Sequence, residues 1–335
     1  MRKRLIFSIL GVVSIALGAA IVLWLRAPKE YSGKMEPITI GLPTSIGLVT
    51  CTSIAQEQHY FTRNGLKVTI RDYSEGLNAL DGLLDGDVDI AGASEYGVVG
   101  KAFKGDQVRI IATVSKTGTY FVTGRRDRGI NNIADLKGKR IGVTLQTISE
   151  FYLGRFLNLN GIQAGNVTCV NLRATQLEDA IAGGIVDAVI SHVSHFFSIK
   201  RRLDANGTSW LAQSSQPTYV VTTVRNDWIE QRPQLVKRFL NSLVQAEEYI
   251  ITHPDEAKAT IQKRFKFDRA SIENLWQLQQ FSLSIDQSLI AAMEDEARWM
   301  IKNEMTTEKQ VPDFLNYIYV DGLRAIKPEA VNIIR

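Results

Sequence analysis

The stretch "LLDGDVDIAGAS", residues 83–94, returns as "IAGGIVDAVISH", residues 181–192, and this pairing decides the fold. Gly86 answers to Gly184, Val88 to Val186 and Asp89 to Asp187, each 98 positions apart. Upstream of the first copy, "ITIGLP" (38–43) alternates β-branched and small residues, as a strand does, and "TSIAQEQHYFTRNG" (52–65) reads as a helix. "KVTIRDY" (67–73) alternates again, "SEGLNALDGLLDG" (74–86) sets Leu77, Leu80 and Leu84 on one helical stripe, and "VDIAGAS" (88–94) is a short buried strand. The second copy repeats the order with "KRIGVT" (139–144), "SEFYLGRFLNLNG" (149–161), "NVTCVNL" (166–172), "TQLEDAIAGG" (175–184) and "VDAVISH" (186–192).

Strands alternating with helices return the chain to the same end of a sheet, so each copy predicts an α/β lobe with a mostly parallel sheet flanked by helices. A chain of 335 residues is long enough for two such cores. Ligands of such sheets gather outside the carboxyl ends of the strands, and two facing lobes make a cleft there. The residues at those ends are small and hydroxylic. Ser45, Thr50, Gly76 and Ser94 in the first copy, with Thr147, Ser149 and His192 in the second, are therefore the predicted ligand-binding residues. Helix starts supply free N–H groups and partial positive charge for a polar or anionic group. Thr147 and Ser149 also suit ordinary N-capping, with Glu150 helping the helix dipole. Asp89 and Asp187 read as structural, since each precedes a short strand and a single active site needs no duplicate.

Five of the 39 basic residues precede the first acidic one, Glu30, which leaves 34 against 35 acidic, so the body is near neutral and offers no face for nucleic acid. Those early charges flank "LIFSILGVVSIALGAAIVLWL", residues 5–25, which as a helix spans about 31 Å and crosses a bilayer. The expectation is an N-terminal transmembrane helix with the rest of the chain extracytoplasmic, by the positive-inside bias; a cleaved signal peptide, with its shorter apolar region, is the alternative. Cys51 and Cys169 are expected as two buried free thiols rather than a disulfide. His192 and His195 have i,i+3 spacing, but no third ligand stands near them, and no nucleophile and base pair is legible. No metal, no cofactor and no catalysis are expected.

With these elements in place, "IADLKGKRIGV" (133–143), "TISEFYLGRFLNLNGI" (147–162) and "IAGGIVDAVIS" (181–191) resemble the substrate-binding proteins of nitrate/sulfonate/taurine-type ABC importers. So do "IAQEQHYFTRNGLKVTI" (54–70), "LLDGDVDIAGASE" (83–95) and the long run from Tyr219 to Ala257, and the likeness covers residues 36–335. The resemblance implies a two-lobed, type II periplasmic-binding-protein fold whose chain crosses between lobes near Phe121–Arg125 and Ser214–Tyr219. Beyond an N-terminal membrane anchor or signal and linker (1–34), it divides the sequence into a first lobe (35–122), a second lobe (123–217) and a return to the first lobe (218–335). It implies a monomer that captures a small polar or anionic compound and hands it to an ABC permease and its ATPase. No arginine follows a strand directly to clamp a sulfonate. A membrane-anchored sensor is the rival reading, and an enzyme on the same fold a lesser one.

Overall fold

The computed structural model describes residues 31–43, 46–118, 120–213, 216–266 and 268–334. The apolar run 5–25 and Ser45 lie outside the described residues. Among the described residues, no helix is long and apolar enough to cross a membrane.

The first repeat folds as β1 (Glu36–Pro43), α1 (Ile46–Glu57), the short α2 (Tyr60–Arg63), β2 (Leu66–Tyr73), α3 (Gly76–Leu84) and β3 (Ile90–Ser94). After α4 (Glu95–Phe103), β4 (Val108–Thr117) leaves for the other lobe, which opens with β5 (Tyr120–Arg125). The second repeat is β6 (Arg140–Val143), α5 (Ile148–Leu159), β7 (Thr168–Asn171), α6 (Ala174–Ala182) and β8 (Ala188–His192). It is followed by α7 (Val193–Leu203) and β9 (Gly207–Leu211). The chain then returns through β10 (Thr218–Arg225) to α8 (Asn226–Gln231), α9 (Pro233–Thr252), α10 (Pro254–Phe265), α11 (Arg269–Gln277), β11 (Gln279–Asp286), α12 (Gln287–Lys302), α13 (Asp321–Arg324) and β12 (Val331–Asn332).

The larger sheet has the order β12-β11-β4-β10-β3-β1-β2 and the smaller β7-β6-β8-β5-β9. Each is mixed rather than mostly parallel. The repeat strands pair in parallel, β2 and β3 beside β1 and β7 and β8 beside β6. The strands that enter from the opposite lobe, β5 and β10, run antiparallel to β8 and β3. They arrive without a helical crossover, so the rule that keeps βαβ strands parallel does not act on them.

The repeated aspartates have one structural job. Asp89 donates its N–H to Thr39 O at 2.9 Å and takes the Thr39 N–H on Oδ2 at 2.7 Å. Asp187 does the same to Arg140, at 2.9 and 3.0 Å. Each side chain thus extends a parallel ladder one step beyond its strand, with a charge-assisted bond. The remaining oxygen takes Trp228 Nε1 at 3.1 Å in the first lobe and the Arg140 guanidinium at 2.9 Å in the second. Gly86 and Gly184 turn the chain from helix to strand at φ 81° and 74°, a region that favours glycine.

Several expectations need correction. The helix foreseen at 52–65 starts at Ile46 and breaks at His59, which adopts a left-handed φ of 58°. Phe121–Arg125 is not a crossing but part of β5, which pairs in the smaller sheet, so the first crossing falls between Thr117 and Tyr120. The second falls between Leu211 and Thr218, and Gln213 ties both together. Its Oε1 accepts the Tyr120 N–H at 3.0 Å while its Nε2 donates to Gln216 O at 3.1 Å and Thr117 O at 3.3 Å. In α3 the buried stripe is Ala79, Leu80 and Leu83, with Leu77 and Leu84 at its margins. Cys51 is buried, its thiol pushed up to about 12 by burial, but Cys169 is exposed on the edge strand β7; both are free. Trp299 of α12 serves the lobe contact as well as the C-terminal helices. It meets Phe151 of α5 edge-on at 5.5 Å, beside Tyr96 of the first lobe and the Arg155–Asp295 ion pair.

Candidate functional site

In both sheets the strand order 2-1-3 reverses direction at the first strand of the repeat, and the gap outside those strand ends is where ligands of such sheets lie. Pro43 and Ser94, at the ends of β1 and β3, face Thr144, Ser191 and His192, at the ends of β6 and β8, across a single cavity of about 150 Å³. That volume admits several waters or a small solute.

The first-lobe wall is built on the start of α3. Gly76 is its first residue, and a Cβ there would stand 3.1 Å from Ala93 Cα, so glycine lets the helix end approach β3. Ser94 precedes α4 without capping it through its side chain. Glu75, in extended conformation just before α3, also lines the cavity, and burial raises its carboxyl.

The second-lobe wall is built on the starts of α5 and α7. Thr147 Oγ1 donates to Thr144 O at 2.7 Å and accepts the Ser149 N–H at 3.3 Å, while Ser149 Oγ lies 2.7 Å from Thr147 Oγ1. The Thr147 hydroxyl therefore serves as an ordinary N-cap, braced by Ser149, whose Oγ also donates to Thr144 O at 3.2 Å, and both residues line the cavity. Gln146 holds a left-handed φ of 60°, fixed by its N–H on Glu150 Oε2 at 2.7 Å. An unfavourable backbone geometry beside a cavity is where folds store strain for binding. His192 caps α7: its Nδ1 accepts the Ser194 N–H at 3.3 Å and lies 2.9 Å from Ser194 Oγ. That assigns the ring proton to Nε2, leaving one N–H donor. Burial, then the neighbouring His195, holds His192 down at about 4, and burial also lowers His195, so both rings are neutral at pH 7. Tyr120 meets the His192 ring edge-on at 5.3 Å.

Of the predicted residues, Gly76, Ser94, Thr147, Ser149 and His192 converge on the cavity, while Ser45 lies outside the described residues. Thr50 does not converge. It sits inside α1, fully buried, because the helix begins nearly two turns earlier than its sequence suggested. Glu75, Tyr120, Gln146, Ser191, Thr218 and His195 line the cavity unforeseen. Glu75 and Ser191 each adjoin a chosen residue, Gly76 and His192, and the i,i+3 spacing singles out His195; Tyr120 and Thr218 carry no local signal. Glu95, the residue after β3, is wholly buried behind the cavity, where Oε1 accepts the Tyr219 N–H at 2.9 Å. Among the described residues no cluster of His, Cys, Asp or Glu could hold a metal ion.

Two mixed sheets joined by two crossings, with one cavity between the carboxyl ends of their parallel strands, define the two-lobed periplasmic-binding-protein fold. The alkanesulfonate-binding protein of Xanthomonas axonopodis pv. citri, solved with MOPS bound, superposes with a TM-score of 0.75 over 86% of this chain and all of that one, at 17% identity. A desulfurization enzyme shares the fold with a TM-score of 0.63 at 15% identity, covering 87% of this chain and 98% of that one. Residues 49–257 match the NMT1/THI5-like family model, and the chain belongs to that family. The taurine-binding periplasmic protein of Escherichia coli K12 is 26% identical over 227 residues, 67% of this chain and 70% of that protein. A Bacillus subtilis protein named for binding aliphatic sulfonates is 24% identical over 300 residues, 86% and 88% of the two chains.

Proposed function

We propose that this protein is the extracytoplasmic solute-binding component of an ABC importer, capturing a small polar compound between its lobes and presenting it to a membrane permease. The observation that carries the reading is the shared cavity: both lobes contribute helix starts and hydroxyl groups to one space outside their strand ends. A solute touching both walls favours the closed arrangement by its extra affinity for it. The curated relatives are binding proteins, which supports capture without chemical change. We assign residues 35–118 and 218–335 to one lobe and 119–217 to the other. The apolar run 5–25 serves as a membrane anchor that keeps the lobes at the permease. Thermal shift of the full-length protein against small polar solutes tests the capture reading, because a bound solute raises stability by mass action. Binding without closure in small-angle scattering would refute the transport part, and alkaline extraction of membranes would refute the anchor if it released the protein.

A further inference from the structure

The signs of the charges in the cavity do not fit a simple anion. Among its described lining residues there is no lysine or arginine, and the one formally charged side chain is Glu75. The internal residues outside the description, at 44, 45, 119, 214, 215 and 267, are Thr, Ser and Phe, so none of them supplies a cation. His192 and His195 are neutral. Glu75 precedes α3 without capping it through its side chain, and its carboxylate has no hydrogen-bond or ion-pair partner among the described residues. A half-buried carboxylate with no partner has lost part of its hydration and received nothing in return, a state that a bound cation corrects. The aromatic ring of Tyr120 lines the same cavity, and its hydroxyl is raised by burial and then by the charge of Glu75. An aromatic face near a carboxylate suits a cationic nitrogen. A second unpartnered group adjoins the same cavity. Ser191 lines it, the residue is 1% exposed, and its Oγ has no hydrogen-bond partner among the described residues.

We propose that the captured solute carries a protonated nitrogen, an ammonium or amidinium group, and that Glu75 is the residue that selects it. This rests on the solute-capture reading and narrows it. The start of α5, the Nε2–H of His192 and the Ser191 hydroxyl are left to hold the acceptor end of the molecule. A sulfonate fits only if the same molecule also carries the nitrogen.

The test is calorimetry of the full-length protein and of Glu75→Gln at pH 7 with two matched pairs, taurine against isethionate and benzylamine against benzyl alcohol. The expected result is an amine that binds at least 10-fold tighter than its hydroxyl partner, with the Glu75→Gln variant reducing that ratio to within about twofold. A charge-assisted bond is worth roughly that discrimination. A hydroxyl partner bound as tightly as its amine overturns the proposal while leaving solute capture standing, as does a preference that survives Glu75→Gln. No binding by any of the four at 10 mM moves the test to native mass spectrometry of the protein as purified. A copurified molecule with a basic nitrogen then supports the proposal, and one without overturns it. An empty protein overturns both it and the capture reading.

Discussion

Replacing Glu296 by glutamine should remove part of the alkaline weakness of this fold. Glu95 and Glu296 are both wholly buried. Glu95 Oε1 accepts the Tyr219 N–H, but its Oε2 and both Glu296 oxygens have no donor among the described residues, and the two carboxyls face each other. Two ionised carboxylates offer each other no proton, so the contact is a hydrogen bond only while one of them is protonated. Burial pushes Glu95 up to about 8, against the pull of nearby N–H groups, and burial with the charges of Glu95 and Asp295 raises Glu296 further than Arg155 can lower it. An unfolded chain releases this proton near 4.5, whereas the folded one keeps it until about 8. Between those values the native state keeps the Glu95 proton that the unfolded chain has lost, so from this group alone stability is full below the lower value and falls by about 1.4 kcal/mol per pH unit through the window. From pH 5.5 to 7.5 that loss is about 3 kcal/mol, and the raised Glu296 carboxyl adds its own. In the Glu296→Gln variant the Glu296 share disappears while burial still holds Glu95 up, so the loss over the same range should shrink to the roughly 3 kcal/mol that Glu95 alone supplies. Urea unfolding at pH 5.5, 6.5 and 7.5 measures both proteins, and the contributions of His192 and His195 cancel in the difference. Parallel curves for the two proteins would refute a buried proton on Glu296.

Asp89→Ala and Asp187→Ala should each destabilise by about 1.5–3 kcal/mol, since each strips charge-assisted bonds from a ladder end; equilibrium unfolding reads this, and a loss below about 0.5 kcal/mol in both would refute the ladder role. Gln213→Ala should cost about 1–3 kcal/mol and broaden the range of lobe separations, checked by unfolding and by small-angle scattering without solute. Thr147→Ala with Ser149→Ala should cost about 1 kcal/mol for the lost cap while weakening solute binding in calorimetry, and an unchanged affinity removes both from the site.

The repeat made the architecture legible because strands and helices leave different periods, and because glycine and aspartate at matched positions mark the same helix-to-strand turn in both lobes. Those signals are local. The mixed character of the sheets was hidden, since nothing in "YFVTGR" or "TYVVTTVR" tells a strand which sheet it will join. Five cavity residues could be named because the end of a strand is visible in sequence. Thr50 misled because the residues before it, Ile46 to Val49, read as a loop but form the first turn of α1. Glu75 carries no signal in the sequence, since an acidic residue before a helix ordinarily serves the dipole, and only the unpartnered state of its carboxylate among the described residues sets it apart.

The unequal exposure of the two cysteines gives this chain a built-in reporter. Cys51 is sealed and its thiol is held far from ionising, whereas Cys169 stands open on the outermost strand of the smaller sheet. A maleimide dye should therefore decorate one lobe and leave the other untouched, and because burial and Glu150 also raise the Cys169 thiol, labelling needs mildly alkaline buffer. With a single acceptor added by mutation on the larger sheet, resonance energy transfer would follow the hinge molecule by molecule, in a chain whose native sulfur already marks one arm.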